Sequence, residues 1–252
     1  MGTESEKAGL RGAITEFASR GLLLYVILFL IEVGIFFVVA TLPFFPGEQA
    51  FYTSQSNQIN NEFANASLLT QFWGIFTNNF RIAAIEMIPG LGVIFFGVSL
   101  YATARILGVI GITDSTPAVL IIIVLLLLFP HSYIELPAYA VATGEGLFLL
   151  YALLKWLRGK ASGRSAVNWS VEGWQFAINL VIVTVMLLVA ALFESVEIQL
   201  GAGLFWITWL PFAGLIALTI MLNRRLNRIR KEKRAQLSSA EIKMDDSSHL
   251  SA

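Results

Sequence analysis

His131 and Glu135 stand four residues apart in the stretch Phe129-Pro130-His131-Ser132-Tyr133-Ile134-Glu135-Leu136-Pro137-Ala138, inside a long run of mostly apolar residues. On a helix that spacing puts both side chains on one face. A neutral imidazole and a carboxylate can handle protons or ligate a divalent cation. The same pair can instead hold a hinge by hydrogen bonds, or sit among headgroups at the outer edge of a bilayer. Ionisable groups at membrane depth cost about 2.5–3.5 kcal/mol each on insertion scales, so they rarely stand there without a role. Pro130 and Pro137 flank the pair and predict a helix that is broken or just starting. Two ligands make a thin metal set, and the other histidine, His249, lies far off in the C-terminal tail. No metal, cofactor or catalytic residue is assigned on this basis.

Three further groups carry polar chemistry in apolar surroundings. Asn78, Asn79 and Glu86 form the first. On one helix Phe72, Phe76, Asn79, Ala83 and Glu86 share a face, which would aim the Asn79 amide into a bundle near Glu86. Amides in such places bridge helices by hydrogen bonds, or add to a polar pocket around His131, where Arg81 could neutralise Glu86 or Glu135. Glu32 lies near the middle of the first apolar segment with no lysine or arginine nearby in sequence. It is either a helix-bridging carboxyl or part of the same polar centre. Glu145 is a further carboxylate in an apolar segment. Around it Ala138, Ala142 and Gly146 repeat small residues at helical spacing, and Ala140 and Gly144 do so on a neighbouring face. Such stripes let helices approach closely, within one subunit or between copies in a homo-oligomer.

The elements that position these groups are transmembrane helices. Hydrophobic residues make up 56% of the chain and charged ones 13%, and several windows approach the roughly 18 apolar residues of a spanning helix. Long non-alternating runs such as Val119–Phe129 exclude a β-barrel. The absence of cysteine excludes disulfides, thiolate metal sites and a cysteine nucleophile. The polar start lacks a cleavable signal pattern. The expectation is an all-α polytopic bundle of about six segments with broken helices: Gly21–Phe45, Ile82–Ile112 with a Pro89-Gly90-Leu91-Gly92 interruption, Pro117–Phe129, Pro137–Trp156, Trp174–Leu192 and Leu204–Leu222. The third is short for a span, and can form one broken unit with the fourth.

Charge placement orients this bundle. Lys7, Arg11 and Arg20 precede the first segment. Lys155, Arg158, Lys160 and Arg164 follow the fourth, and seven cations fall in Arg224–Arg234. These, with Arg105, fall on one side of a six-segment arrangement. The loop Pro46–Phe80 and the turn Ser195–Gly203 carry no lysine or arginine. Both termini are therefore expected in the cytoplasm of a multi-pass plasma-membrane protein. Residues 1–20 form a cytoplasmic segment, 21–222 the membrane domain with its outer loop at 46–80, and 223–252 a basic, then disordered, tail. The outer loop holds a sequon, Asn65-Ala66-Ser67, and then Leu69, Phe72, Trp73 and Phe76 at the spacing of an interfacial amphipathic helix. A second sequon, Asn168-Trp169-Ser170, falls on the cytoplasmic side. The basic tail suits anionic lipid. Nucleic acid is not an expected partner, since no folded module accompanies the charges.

The order of these elements resembles the SpoIIM family, stage II sporulation protein M and its relatives. The resemblance rests on Ile75-Phe76-Thr77-Asn78-Asn79, the glycine-rich second segment, and Pro130-His131-x-x-x-Glu135-Leu136-x-Ala138 followed by Gly144 and Gly146. Where the family has His-Gly this chain has His131-Ser132. Where it has Asn-Gly-x-x-x-Gly this chain reads Thr103-Ala104-Arg105-Ile106-Leu107-Gly108. The resemblance implies a non-enzymatic membrane scaffold that organises membrane or envelope partners. Two other functions compete with it: a transporter or channel with its site at the broken helices, and an intramembrane metallohydrolase.

Overall fold

The computed structural model describes residues 21–63, 65–113, 115–161, 167–225 and 227–228. Among them every regular element is helical. The chain divides between Trp206 and Ile207 into two units. The first is built from α1 (Leu22–Thr41), α2 (Glu48–Phe63), α3 (Leu68–Glu86), α4 (Leu91–Thr113), α5 (Ala118–Leu128), α6 (Ser132–Ala161) and α7 (Trp169–Leu204). The last apolar helix, α8 (Phe205–Arg225), opens as a 3-10 turn over Phe205–Thr208. Helices α1, α4, α6, α7 and α8 are long and apolar enough to cross a membrane, and α5 is a shorter apolar helix. Large apolar side chains stay exposed, Leu23 at 74% and Val181 at 61%. That surface is a liability in water and the solvated face in hydrocarbon. The N-terminal segment, the expected disorder of the tail and His249 lie outside the described residues.

Contacts along α1 give each neighbour its direction. Near the start of α1, Tyr25 and Leu28 lie against Gly144 of α6, and Tyr25 meets Asn179 of α7. Near its end, the Ala40 carbonyl lies against Gly108 of α4. Helix α4 therefore runs parallel to α1. Helix α3 runs the other way: its Gln71 end meets Gln199 of α7, and its Glu86 end meets Gly146 of α6. Helix α5 starts beside Gly111, near the end of α4, and α6 runs from His131, beside Glu197 near the end of α7, to Gly144, beside the start of α1. A helix of 11 residues is about 16 Å long, half the hydrocarbon thickness. Helix α6, at 30 residues, is long enough to cross by itself, so α5 is a short apolar helix that precedes a spanning one. Fully buried Ala83, Ala104, Ala138, Ala142, Val183 and Leu187 form the core where these helices meet.

Four expectations need correction. The Ile82–Ile112 segment is not one interrupted helix. The chain reverses over Met87–Gly90, with Gly90 at φ 83, and Ser99 folds back to donate to Glu86. On a continuous helix those residues would stand about 20 Å apart. Because the chain reverses after α3, which runs opposite to α1, α4 runs parallel to α1. Arg105 consequently lies at the C-terminal end of α1, opposite the end at which α6 finishes with Lys155 and Arg158. Pro137 lies inside α6 rather than at its start; the break falls earlier, at Phe129–His131. The Ser195–Gly203 turn is the last part of α7, which stays helical to Leu204 apart from non-helical Gly201.

Arg105 closes the C-terminal end of α1. Its Nη1 donates to the Val39 and Leu42 carbonyls at 2.9 and 2.7 Å, and Nη2 to Pro43 O at 3.1 Å. Nε and Nη2 donate to the two Glu48 oxygens at 3.0 and 2.8 Å. The last carbonyls of a helix have no partner within it; here a guanidinium from another helix supplies one. The same contacts tie down the start of α2. Its far end is tied by Gln71, whose Nε2 donates to the Phe63 carbonyl at 2.9 Å. Helix α3 then starts at Ser67, whose Oγ accepts from the Thr70 N–H at 3.2 Å. That hydroxyl, the third residue of the first sequon, is thus engaged as a cap. Asn168 of the second sequon caps α7 in the same way.

Candidate functional site

Between α1, α3, α4, α5, α6 and α7, under the last turns of α2, lies a cavity of about 800 Å³. Its walls mix aliphatic with polar side chains, and among the described residues four carboxylates reach it: Glu32 from α1, Glu62 from α2, Glu135 from α6 and Glu194 from α7. His131 lines it at the break between α5 and α6, and among the described residues no lysine or arginine does. Ile59, Glu62 and Thr103, also in its wall, are exposed, so the cavity opens toward the α2 side.

The break aims these groups. Phe129 is extended (φ −102, ψ 111), which ends α5. Pro130 and His131 then start α6 through the Tyr133 N–H to Pro130 O and Glu135 N–H to His131 O bonds. Pro fits a helix start, where its missing N–H is not needed. The His131 ring is turned toward α7, with Nδ1 in contact with Glu197 Oε2. One turn on, Glu135 Oε1 accepts from Asn79 Nδ2 at 2.9 Å and from Tyr139 Oη at 3.0 Å. Asn78 donates to the Asn79 oxygen at 3.2 Å. Ligand atoms of His131, Glu135 and Glu194 all lie within 4.8 Å of one another.

Glu32 is different from its neighbours. It is fully buried and lines the cavity, and among the described residues neither of its oxygens has a hydrogen-bond partner. Buried polar groups are nearly always paired, and an unpaired carboxylate in a low dielectric is costly. Glu86 is the contrast. It lies behind the cavity wall and accepts from Ser99 Oγ at 3.0 Å and Thr143 Oγ1 at 3.3 Å, which accounts for its burial as a helix bridge. Glu145, nearer the start of α1, accepts from Asn179 Nδ2. Arg81 is exposed, on another face of α3 from buried Asn79 and Glu86, and neutralises neither Glu86 nor Glu135.

His131, Glu135, Asn78, Asn79 and Glu32 therefore meet at one cavity, and Glu86 stands apart from it. The small residues Ala138, Ala142 and Gly146 are buried in α6, where Gly146 lies against the Glu86 main chain. Sequence reasoning passed over Glu194 and Glu197, which fall beyond the expected end of the fifth segment. Their signal was a spacing of three residues, which places both on one side of a continued helix. Several carboxylates in one membrane cavity, with a single imidazole among them, favour a positive guest. Mutual repulsion and poor solvation are both relieved by a cation or by protons.

A family model described as SpoIIM, stage II sporulation protein M, matches residues 17–196. No curated protein and no solved structure matches the chain.

Proposed function

The chain belongs to the SpoIIM family, and from that membership and the acidic cavity we propose that it is a membrane-embedded protein that takes up a cation from the α2 side and carries it into the bilayer interior. The observation behind this reading is Glu32, a carboxylate near the middle of a spanning helix, facing a cavity with neither oxygen hydrogen-bonded among the described residues. A carboxylate that only bridged helices would resemble Glu86, with hydroxyl donors on both oxygens. The break between α5 and α6, which places His131 in the cavity wall, supports the same reading, because interrupted helices build the ion and substrate sites of many carriers. The working location is the plasma membrane, multi-pass, with both termini in the cytoplasm and the basic tail against anionic lipid.

The test is uptake by proteoliposomes, offering protons, sodium, potassium, magnesium, manganese and zinc ions in turn. Uptake that falls at least tenfold in Glu32→Gln supports the carrier. If no cation moves faster than in empty vesicles, the reading fails.

A scaffold role is the second reading, and α2 favours it. This helix is polar along most of its length, with Gln49, Asn57, Gln58 and Asn61 exposed, and it is fastened at both ends. A fixed polar helix on the outer side is a surface that membrane or envelope proteins can dock on. Arginine substitutions at Asn57 and Asn61 that release a co-purifying partner, with ion uptake intact or absent, would support this role. Unchanged co-purification would count against it.

A further inference from the structure

We propose that His131, Glu135 and Glu194 bind a divalent transition-metal ion at the break between α5 and α6. The proposal rests on the reading of the cavity as a cation site and names the cation. Three residues from two different helices bring one ligand atom each to within 4.8 Å of one another, a separation that small side-chain rotations close around an ion with bonds of about 2.0–2.2 Å.

The groups behind the ligands suit that role. Glu197 takes Nδ1 of His131, and among the described residues no hydrogen bond is made at Nε2. A carboxylate on one imidazole nitrogen fixes the tautomer and frees the other for a metal. Glu135 shows the same division. Asn79 and Tyr139 both donate to Oε1, while among the described residues Oε2 receives no donor. Charge points the same way. Two carboxylates and a neutral imidazole around a divalent ion make a site of zero net charge, the arrangement that costs least inside a bilayer. One nitrogen and two oxygens suit zinc, manganese or iron(II) better than calcium or magnesium, whose ligands are oxygens.

Glu32 supplies the independent observation. It is buried, faces the same cavity and lacks a donor on either oxygen among the described residues. An ion held by three protein ligands keeps open positions that water fills. Waters on those positions are the donors Glu32 lacks, and a cavity of about 800 Å³ has room for them.

The experiment uses the full chain without an affinity tag, stripped with EDTA in detergent and titrated with zinc chloride and manganese chloride. One ion per chain is expected. Glu194→Gln and Glu135→Gln should each weaken binding at least tenfold, and Glu197→Gln by about 10–100-fold through the imidazole. No bound ion, or binding indifferent to both ligand substitutions, overturns the site. Should a variant fail to fold, X-ray absorption of the zinc-loaded parent chain decides. One imidazole with oxygen donors supports the site; oxygen donors alone, or several imidazoles, overturn it. An ion bound at the cluster without uptake in vesicles keeps the site and removes the carrier. Uptake of another cation without a bound metal does the reverse.

Discussion

Arg105 is 1% exposed and its five N–H donors are all used, three on main-chain carbonyls and two on Glu48. The Phe44 ring lies 3.7 Å from its guanidinium carbon. Arg105→Ala removes donors from the Val39, Leu42 and Pro43 carbonyls, of which Val39 keeps the Leu42 N–H, and takes the cation from Glu48. We expect a clearly lower melting temperature in detergent. Arg105→Lys should fall between, because an ammonium cannot serve carbonyls and carboxylate together. A variant that melts with the parent chain would contradict the cage. Glu48 adds a pH dependence. Burial pushes its carboxyl up, but donors on Tyr101, the Phe45 main chain and Arg105 outweigh this and hold it below the ordinary value of 4.5. A lowered folded value means that its stabilisation is complete above 4.5 and is lost as the pH falls through that lowered value. The protection of α2 amides against hydrogen exchange, taken relative to their intrinsic rate at each pH, should therefore fall as the pH is taken below 4.5, ahead of protection in α7. Simultaneous loss of both would place the acid-sensitive contact elsewhere. At this scale His131, Glu135 and Glu32 stood out in the sequence because ionisable groups in apolar runs are expensive. Glu194 and Glu197 did not, because near the expected end of a span a carboxylate looks like a headgroup neighbour.

Glycines decide how closely the helices pack. A Cβ on Gly146 of α6 would fall 2.5 Å from the Glu86 carbonyl oxygen and 3.3 Å from the Met87 carbonyl carbon, both main-chain atoms. Gly146→Ala must push α3 and α6 apart, and overpacking of this kind costs about 1–3 kcal/mol. Gly97 of α4 has nothing within 4 Å of the same position. Gly97→Ala should be neutral or stabilise by up to about 1 kcal/mol, the helix preference of alanine over glycine. Melting curves of the pair check both; equal shifts would mean that space around Gly146 does not set the α3–α6 distance. The break between α5 and α6 was legible from its prolines and from the shortness of the third apolar run. The reversal between α3 and α4 was not. Pro89-Gly90 inside an apolar run reads equally well as a kink or a turn, and the deciding contact, Ser99 on Glu86, joins residues that the sequence does not pair.

For the whole molecule the sequence specified an all-α membrane bundle and left its threading open. The reversal after α3 changed the direction of α4 and the end of the bundle at which Arg105 lies. The chain has no cysteine, so single cysteines can map its sides without background. Asn57→Cys on α2 should react with an impermeant maleimide in intact cells. Ala161→Cys at the end of α6 should react only after the membrane is opened. The opposite pattern would invert the bundle. The threading also bears on how the chain is made. Helix α1 is almost wholly apolar, whereas α3 carries Gln71, Asn78, Asn79, Arg81 and Glu86, and α5 spans only 11 residues. As isolated segments in a translocon insertion assay, α1 should integrate and α3 and α5 should not. During synthesis these two must wait for the longer helices to be in place. The cavity wall that they complete then closes last, so a nascent chain stalled midway presents lipid with a few separate helices and no open, water-filled breach.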